Sequence, residues 1–204
     1  MVFSLRFSQR NLFFLGRDDR VRLFEAIVYH SISFEENYEQ DYDIMILPLL
    51  AAEDRRGHLH HGVDFLSIGR SLFKPINGRV LRGVSTVEQQ LGRTIYPRSG
   101  GVIRSRLCEL TTAQSIAVAF TKKQVWTAYL HAAYYGAGLQ GYGAVRSKFA
   151  DDGEVLTPDQ AVQIAACLKY PRPSQPSVHW NRQHANRCEF IARRVGGAGY
   201  VKLK

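Results

Sequence analysis

The chain has 204 residues and a hydrophobic fraction of 45%, enough to build a core in one domain or two small lobes. Its formal net charge of +9 calls for an anionic partner: nucleic acid, a phosphate-bearing substrate or a bilayer surface. No window reaches the roughly 18 uninterrupted apolar residues of a membrane-spanning helix. The N-terminal MVFSLRFSQRNLFFLGRDDR, broken by Arg6 and Arg10, lacks the form of a secretory signal.

In chain order, Asp18 and Asp19 can open a helix through Val21, Leu23, Phe24, Ile27 and Val28, which recur at helical spacing. Residues 31–43, with Glu35, Glu36, Glu39, Asp41 and Asp43, read as a solvated acidic loop. The apolar run from Ile44 to Ala52 then leads into Ala51 to Asp64, AAEDRRGHLHHGVD, the densest polar cluster in the chain. A hydrophobic segment that ends on Glu53 and Asp54 holds a carboxylate at the edge of a core. Partial burial raises its pKa and the guanidinium groups of Arg55 and Arg56 lower it, a balance that suits a general base. A solvated helix end with ion pairs explains this stretch alone equally well.

Residues 65–82, FLSIGRSLFKPINGRVLR, mix apolar residues with Arg70, Lys74, Arg79 and Arg82. This composition favours a membrane interface, with a core segment bearing surface charge as the alternative. Ser85-Thr86-Val87-Glu88, Thr121 to Gln124 and Thr157 to Gln160 each have the form of a capping box, the last with Pro158 at the first helical position. Val102 to Phe120 reads as a long helix, and a final helix from about Trp180 to Val195 stops at Gly196-Gly197. The expectation is a mostly α-helical protein. Cys108, Cys167 and Cys188 cannot all pair and read as small core residues. His58, His60 and His61 lack a fourth ligand at a helical interval, so His60 is expected to orient the cluster and zinc is not expected. Trp126, Tyr129, Tyr134 and Tyr135 read as core in preference to a sugar platform.

Gly83-Val84-Ser85-Thr86-Val87-Glu88-Gln89-Gln90 resembles the G-x-S-T-x-x-Q-Q motif of family 51 glycosyltransferases, the peptidoglycan transglycosylase domains of penicillin-binding proteins and their monofunctional relatives. Glu53, Asp54, Arg55, Arg56, His60, Gly62, Val63 and Asp64 resemble the family's E-D-R-R-F-x-x-H-x-G-V-D motif in register. Glu109 lies 19 residues past Gln90, where the motif R-K-x-x-E places its glutamate. Lys122 to Leu130, Tyr134 to Gly141, Leu156 to Ala161 and Lys169 to Pro171 resemble the remaining motifs in family order, so the likeness covers about residues 44–195.

The resemblance implies an all-α, lysozyme-like fold of two lobes spanning 44–195, with 65–82 as a membrane-dipping small lobe. An N-terminal helix and acidic loop (1–43) and a tail (196–204) flank it. It implies polymerisation of lipid II into β-1,4 glycan strands with release of undecaprenyl pyrophosphate, at the outer face of a bacterial inner membrane. Glu53 then matches the base and Glu109 a second catalytic carboxylate. Asp54, Arg55, His60, Ser85, Thr86, Gln89, Gln90, Arg93, Arg106 and Lys122 match positions that bind or orient substrate. No cofactor is required. A divalent metal such as magnesium or manganese is compatible with Glu109, since hard cations favour phosphate and carboxylate oxygens. Lipid II, the growing strand, an anionic membrane and other cell-wall synthases are the expected partners, and nucleic acid is not.

Five positions depart from the pattern: Gly57 stands for phenylalanine, Gly101 and Ser105 for arginines, Ala117 for glutamate and His131 for asparagine. The loss of cations raises an alternative, a weak or inactive relative that binds lipid II or a synthase without polymerising, unless Arg98 or Arg104 compensates.

Overall fold

The structure is a computed structural model and describes residues 16–72, 85–97, 102–151 and 153–197. The all-α expectation holds among these residues, apart from one short hairpin, β1 (Tyr134–Gly136) and β2 (Leu139–Gln140). Helix α1 (Arg17–Tyr38) runs along α6 (Lys122–Ala132), burying Leu23, Ile27 and Phe34. A one-turn 3-10 segment, Glu39–Asp41, then leads directly into α2 (Tyr42–Glu53).

The acidic loop expected at residues 31–43 is therefore helix for most of its length. The cause is the stripe that Phe34 and Tyr38 continue from Leu23 and Ile27: both pack on Tyr142, with ring centroids 4.9 and 5.1 Å away. Asp41, far from solvated, is buried and accepts hydrogen bonds from Arg146 Nε (2.6 Å) and Tyr142 Oη (3.1 Å).

The short helix α3 (Phe65–Leu72) follows the polar cluster. Next come α4 (Val87–Ile95), α5 (Val102–Ala119) and α6, in which Val87, Leu91, Ile116, Val125 and Tyr129 share a core with Leu23, Met45 and Leu49. Helices α7 (Tyr142–Phe149), α8 (Pro158–Cys167) and α9 (Val178–Gly197) close the chain. A small satellite core of Ala51, Ala52, Ala165, Ala166 and Ile191 joins α2, α8 and α9. Its small side chains let α9 approach the C-terminal end of α2, and this contact matters for the site. Cys108 and Cys167 are buried, Cys188 is half-buried, and all three are free.

Two of the three capping boxes stand as expected, at Thr121/Gln124 and Thr157/Gln160. The third is shifted by one residue. Thr86, not Ser85, accepts from the Gln89 amide at 3.3 Å, and Gln89 Oε1 accepts from Thr86 N at 2.8 Å.

Candidate active site

Glu53 is the last residue of α2, where helix carbonyls lack intrahelical donors. Two arginines of α9 supply them. Arg194 donates to Ala51 O at 3.0 Å and Arg187 to Ala52 O at 2.6 Å, cations placed where the helix dipole favours them. Arg187 also donates to Glu53 Oε1 at 3.2 Å, while Gln90 Nε2 donates to Oε2 at 3.0 Å. Each oxygen of Glu53 thus has one fixed donor, from a different helix. Gln90 is itself held by Tyr129, whose hydroxyl donates to its Oε1 at 2.8 Å. Burial, reinforced by the charge of Glu53, pushes the Tyr129 phenol far above its ordinary pKa, so it remains a donor.

The arginines beside Glu53 in sequence do not contact it. Arg56 Nε donates to Asp64 Oδ2 at 2.9 Å, and Arg55 is exposed, near Arg194. Burial, then the like charges of Arg55 and Arg187, lower the Arg194 pKa. The guanidinium contact expected from Arg55 and Arg56 is instead made by Arg187.

Asp54 turns inward. Both its oxygens lie 3.0 Å from His60 Nε2, and Oδ2 accepts from the Val87 amide at 3.1 Å, at the positive end of α4. His60, expected to orient the cluster, is joined to it through Asp54. The three histidines do not converge: His58 and His61 are exposed, and His58 packs edge-on against Trp126. Burial, then the charge of Lys122, lowers the His58 pKa. Asp64 caps α3 by accepting from the Ser67 amide (3.0 Å) and hydroxyl. Burial alone would raise its pKa, but those bonds and Arg56 hold it below the usual carboxylate value.

Among the other expected binding residues, Thr86 and Gln89 spend their polar groups on the α4 cap. The Thr86 hydroxyl also donates to Gly62 O at 2.6 Å. Ser85 is half-buried just before that cap. Lys122 turns onto Glu88, a fully buried carboxylate on α4 that by sequence had the place of a capping-box glutamate. Glu109 on α5 sits 3.5 Å from Arg93 Nη1 and accepts from Arg106 Nη1 at 3.3 Å. An open cavity between α4 and α5 is lined by Gln89, Gly92, Arg93, Ser105, Glu109 and Thr112, so the serine in the arginine position faces the same space as Glu109. Among the described residues, Glu109 belongs to no cluster of three or more metal-ligating groups. Arg98 and Gly101 lie outside the described residues, as do Phe73 and Arg79 of the basic–apolar segment. Trp126, Tyr129 and Tyr135 are core, but Tyr134 is exposed.

Arg187 is the residue that the sequence concealed. It lies 134 positions from Glu53, and its only trace is a pair of arginines seven apart, on the same face of α9 with Phe190 between them. Their guanidinium carbons lie 4.8 and 4.0 Å from that ring.

Residues 35–195 match the sequence profile described as Transglycosylase. The chain belongs to the transglycosylase family. It is 33% identical over 163 residues to a biosynthetic peptidoglycan transglycosylase of a Marinomonas species, covering 78% of this chain and 71% of the relative. It is 31% identical over 166 residues to one of Xylella fastidiosa, covering 77% of this chain. It is also 28% identical over 162 residues to penicillin-binding protein 1A of Rickettsia prowazekii, covering 77% of this chain and 20% of that larger protein. The chain spans 66% of the length of the Xylella relative. Within this transglycosylase-family chain, Glu53, Gln90 and Arg187 form one connected polar group, and Glu109 forms a second with Arg93 and Arg106.

Proposed function

We propose that this chain is a peptidoglycan glycosyltransferase that joins lipid II units into β-1,4 glycan strands and releases undecaprenyl pyrophosphate. The observation that carries the reading is Glu53, a carboxylate fixed through both oxygens at a helix end in a transglycosylase-family chain. Glu53 takes the proton from the 4-hydroxyl of one sugar as its oxygen attacks the anomeric carbon of the other. The bond to the lipid pyrophosphate breaks and its electron pair leaves on a phosphate oxygen. Arg93 and Arg106, with Glu109 between them, supply positive charge for that leaving group. The pairing of both with Glu109 leaves this cationic shell thinner than a sequence count of arginines suggests.

The site of action is a membrane surface on the outer side of a bacterial inner membrane. No described helix is long and apolar enough to cross a bilayer. Support for surface contact comes from α3, where Phe65 and Leu66 are 64% and 58% exposed beside Arg70, and from the net charge of +9. Anionic lipid, the growing strand and other cell-wall synthases are the corresponding partners.

Purified protein incubated with lipid II in detergent is expected to yield glycan polymer on a gel. Glu53→Gln keeps shape and hydrogen bonding but cannot accept the proton, so turnover should fall roughly 100-fold or more with substrate binding nearly unchanged. Binding without polymer in the wild type would replace this reading with that of a lipid II-binding relative.

A further inference from the structure

Behind Glu53, the structure gathers Asp54, His60 and Glu88, all buried, with one donor atom of each within 4.8 Å of the others. The histidine spacing in the sequence did not reveal this grouping, because the site combines His60 and Asp54 of the polar cluster with a residue of α4. Two side-chain atoms in this group have no hydrogen-bond partner: His60 Nδ1 and Glu88 Oε2. Their residues are 8% and 0% exposed, so no bulk water compensates them. His60 Nε2 stands 3.0 Å from both Asp54 oxygens, so the imidazole and that carboxylate can face one metal together. With Lys122 counted, two buried carboxylates face one ammonium and one imidazole.

We propose that Asp54, His60 and Glu88 form a binding site for a divalent metal of the zinc class, in competition with the ammonium of Lys122. One imidazole and two carboxylates suit zinc, whereas magnesium retains waters and demands an octahedral set of oxygen ligands that these three buried side chains do not supply. Zinc ligands stand about 3.3–3.6 Å apart in a tetrahedral shell, so binding draws the three side chains inward by up to about 1 Å. Lys122, whose side chain is already 28% exposed, then turns to solvent. The proposal concerns binding alone and stands or falls independently of glycan polymerisation.

The test uses the whole purified protein with zinc as the probe. Wild type should take one equivalent from a chromophoric chelator, and its Tm should rise about 5–10 °C with zinc at a hundred times its Kd. Glu88→Gln should lose most of that shift, while His131→Asn, which alters a histidine pair outside the site, should keep it. Lys122→Met removes the competing cation and should tighten zinc binding about tenfold. A folding defect does not produce tighter binding, so this variant keeps the test decisive. Absence of a zinc-dependent shift in wild type, an undiminished shift in Glu88→Gln, or unchanged or weaker binding in Lys122→Met would overturn the proposal.

Discussion

Replacing Arg187 by methionine tests the arrangement around Glu53 most directly. Methionine keeps the apolar stem against Phe190 and removes the charge, the donor to Ala52 O and the donor to Glu53. A hydrogen bond to a charged group contributes about 1.5–3 kcal/mol and a neutral one about 1 kcal/mol. Glu53 keeps its bond from Gln90 and its side chain is 15% exposed, so the lower end applies and the loss is about 3 kcal/mol. For a chain of this size that lowers Tm by about 6–12 °C. Thermal unfolding of wild type, Arg187→Met, Glu53→Gln and the double variant closes a cycle, with an expected coupling of about 1–2 kcal/mol. With one fixed contact left, Glu53 also loses alignment as the proposed base, and kcat should fall roughly 10–100-fold with KM changed less. A melting temperature within about 2 °C of wild type together with a coupling below about 0.3 kcal/mol would refute the view that Arg187 holds the base.

Three further outcomes are expected. Asp41→Ala leaves Arg146 buried without its carboxylate and should cost about 3–5 kcal/mol, read as a drop in the denaturation midpoint at constant m-value. His30 and His131 share one hydrogen bond between their Nδ1 atoms at 2.8 Å beside Tyr29, and burial lowers both pKa values, that of His30 further through His131. The unfolded chain therefore binds more protons below pH 6.5, so this contribution is whole above that pH and is lost as pH falls toward the depressed values. A Tm series from pH 7.5 to about 5.5 should fall less steeply for His131→Asn, and an identical slope would remove the pair as the cause. Ser105→Arg adds a guanidinium to the cavity shared with Glu109 and should tighten a phosphoglycolipid such as moenomycin about tenfold, whereas unchanged or weaker binding would mean that the cationic shell is already complete.

Local chemistry was the legible part of the sequence. Thr121 with Gln124, and Thr157 with Gln160, satisfy their own helix starts, so no distant residue is needed to find them. At Ser85-Thr86-Val87-Glu88-Gln89, two overlapping boxes compete and local pattern cannot choose. The choice is tertiary: the Thr86 hydroxyl reaches Gly62 O, and Glu88 is claimed by Lys122. Residues 31–43 misled for the opposite reason. Their acids suggested solvent, yet Phe34, Tyr38 and Asp41 face inward and three of the acids, Glu35, Glu36 and Glu39, stay outside or pair loosely with Lys123. Arg187 was illegible because its partner lies on another element, and a helix face carrying basic residues reads as solvated until its packing is known.

The departures from the family pattern also differ in weight once the packing is known. Gly57 replaces a phenylalanine that would anchor the turn after Glu53, which by sequence suggests a loosened base. In the structure a Cβ at Gly57 would stand 2.7 Å from Leu50 Cδ2 and 3.2 Å from Asp54 O, so the turn closes directly on α2 in place of a side-chain anchor. Further along, Gly62 adopts φ of 82° and approaches α5 so closely that a Cβ would lie 2.4 Å from Ala113 O. Its carbonyl is in turn tied to Thr86. The loop from Asp54 to Asp64 is thus held by backbone approach at two glycines and by Asp54 on the N-terminus of α4. Glu53, at its root, inherits that rigidity. At Ser105 no such backbone approach takes the place of the missing side chain, and Arg93 and Arg106 are both paired with Glu109. Glu53, the proposed base, is therefore the better-held half of this site, and the proposed leaving-group side is where catalytic rate would be most exposed to the loss of an arginine.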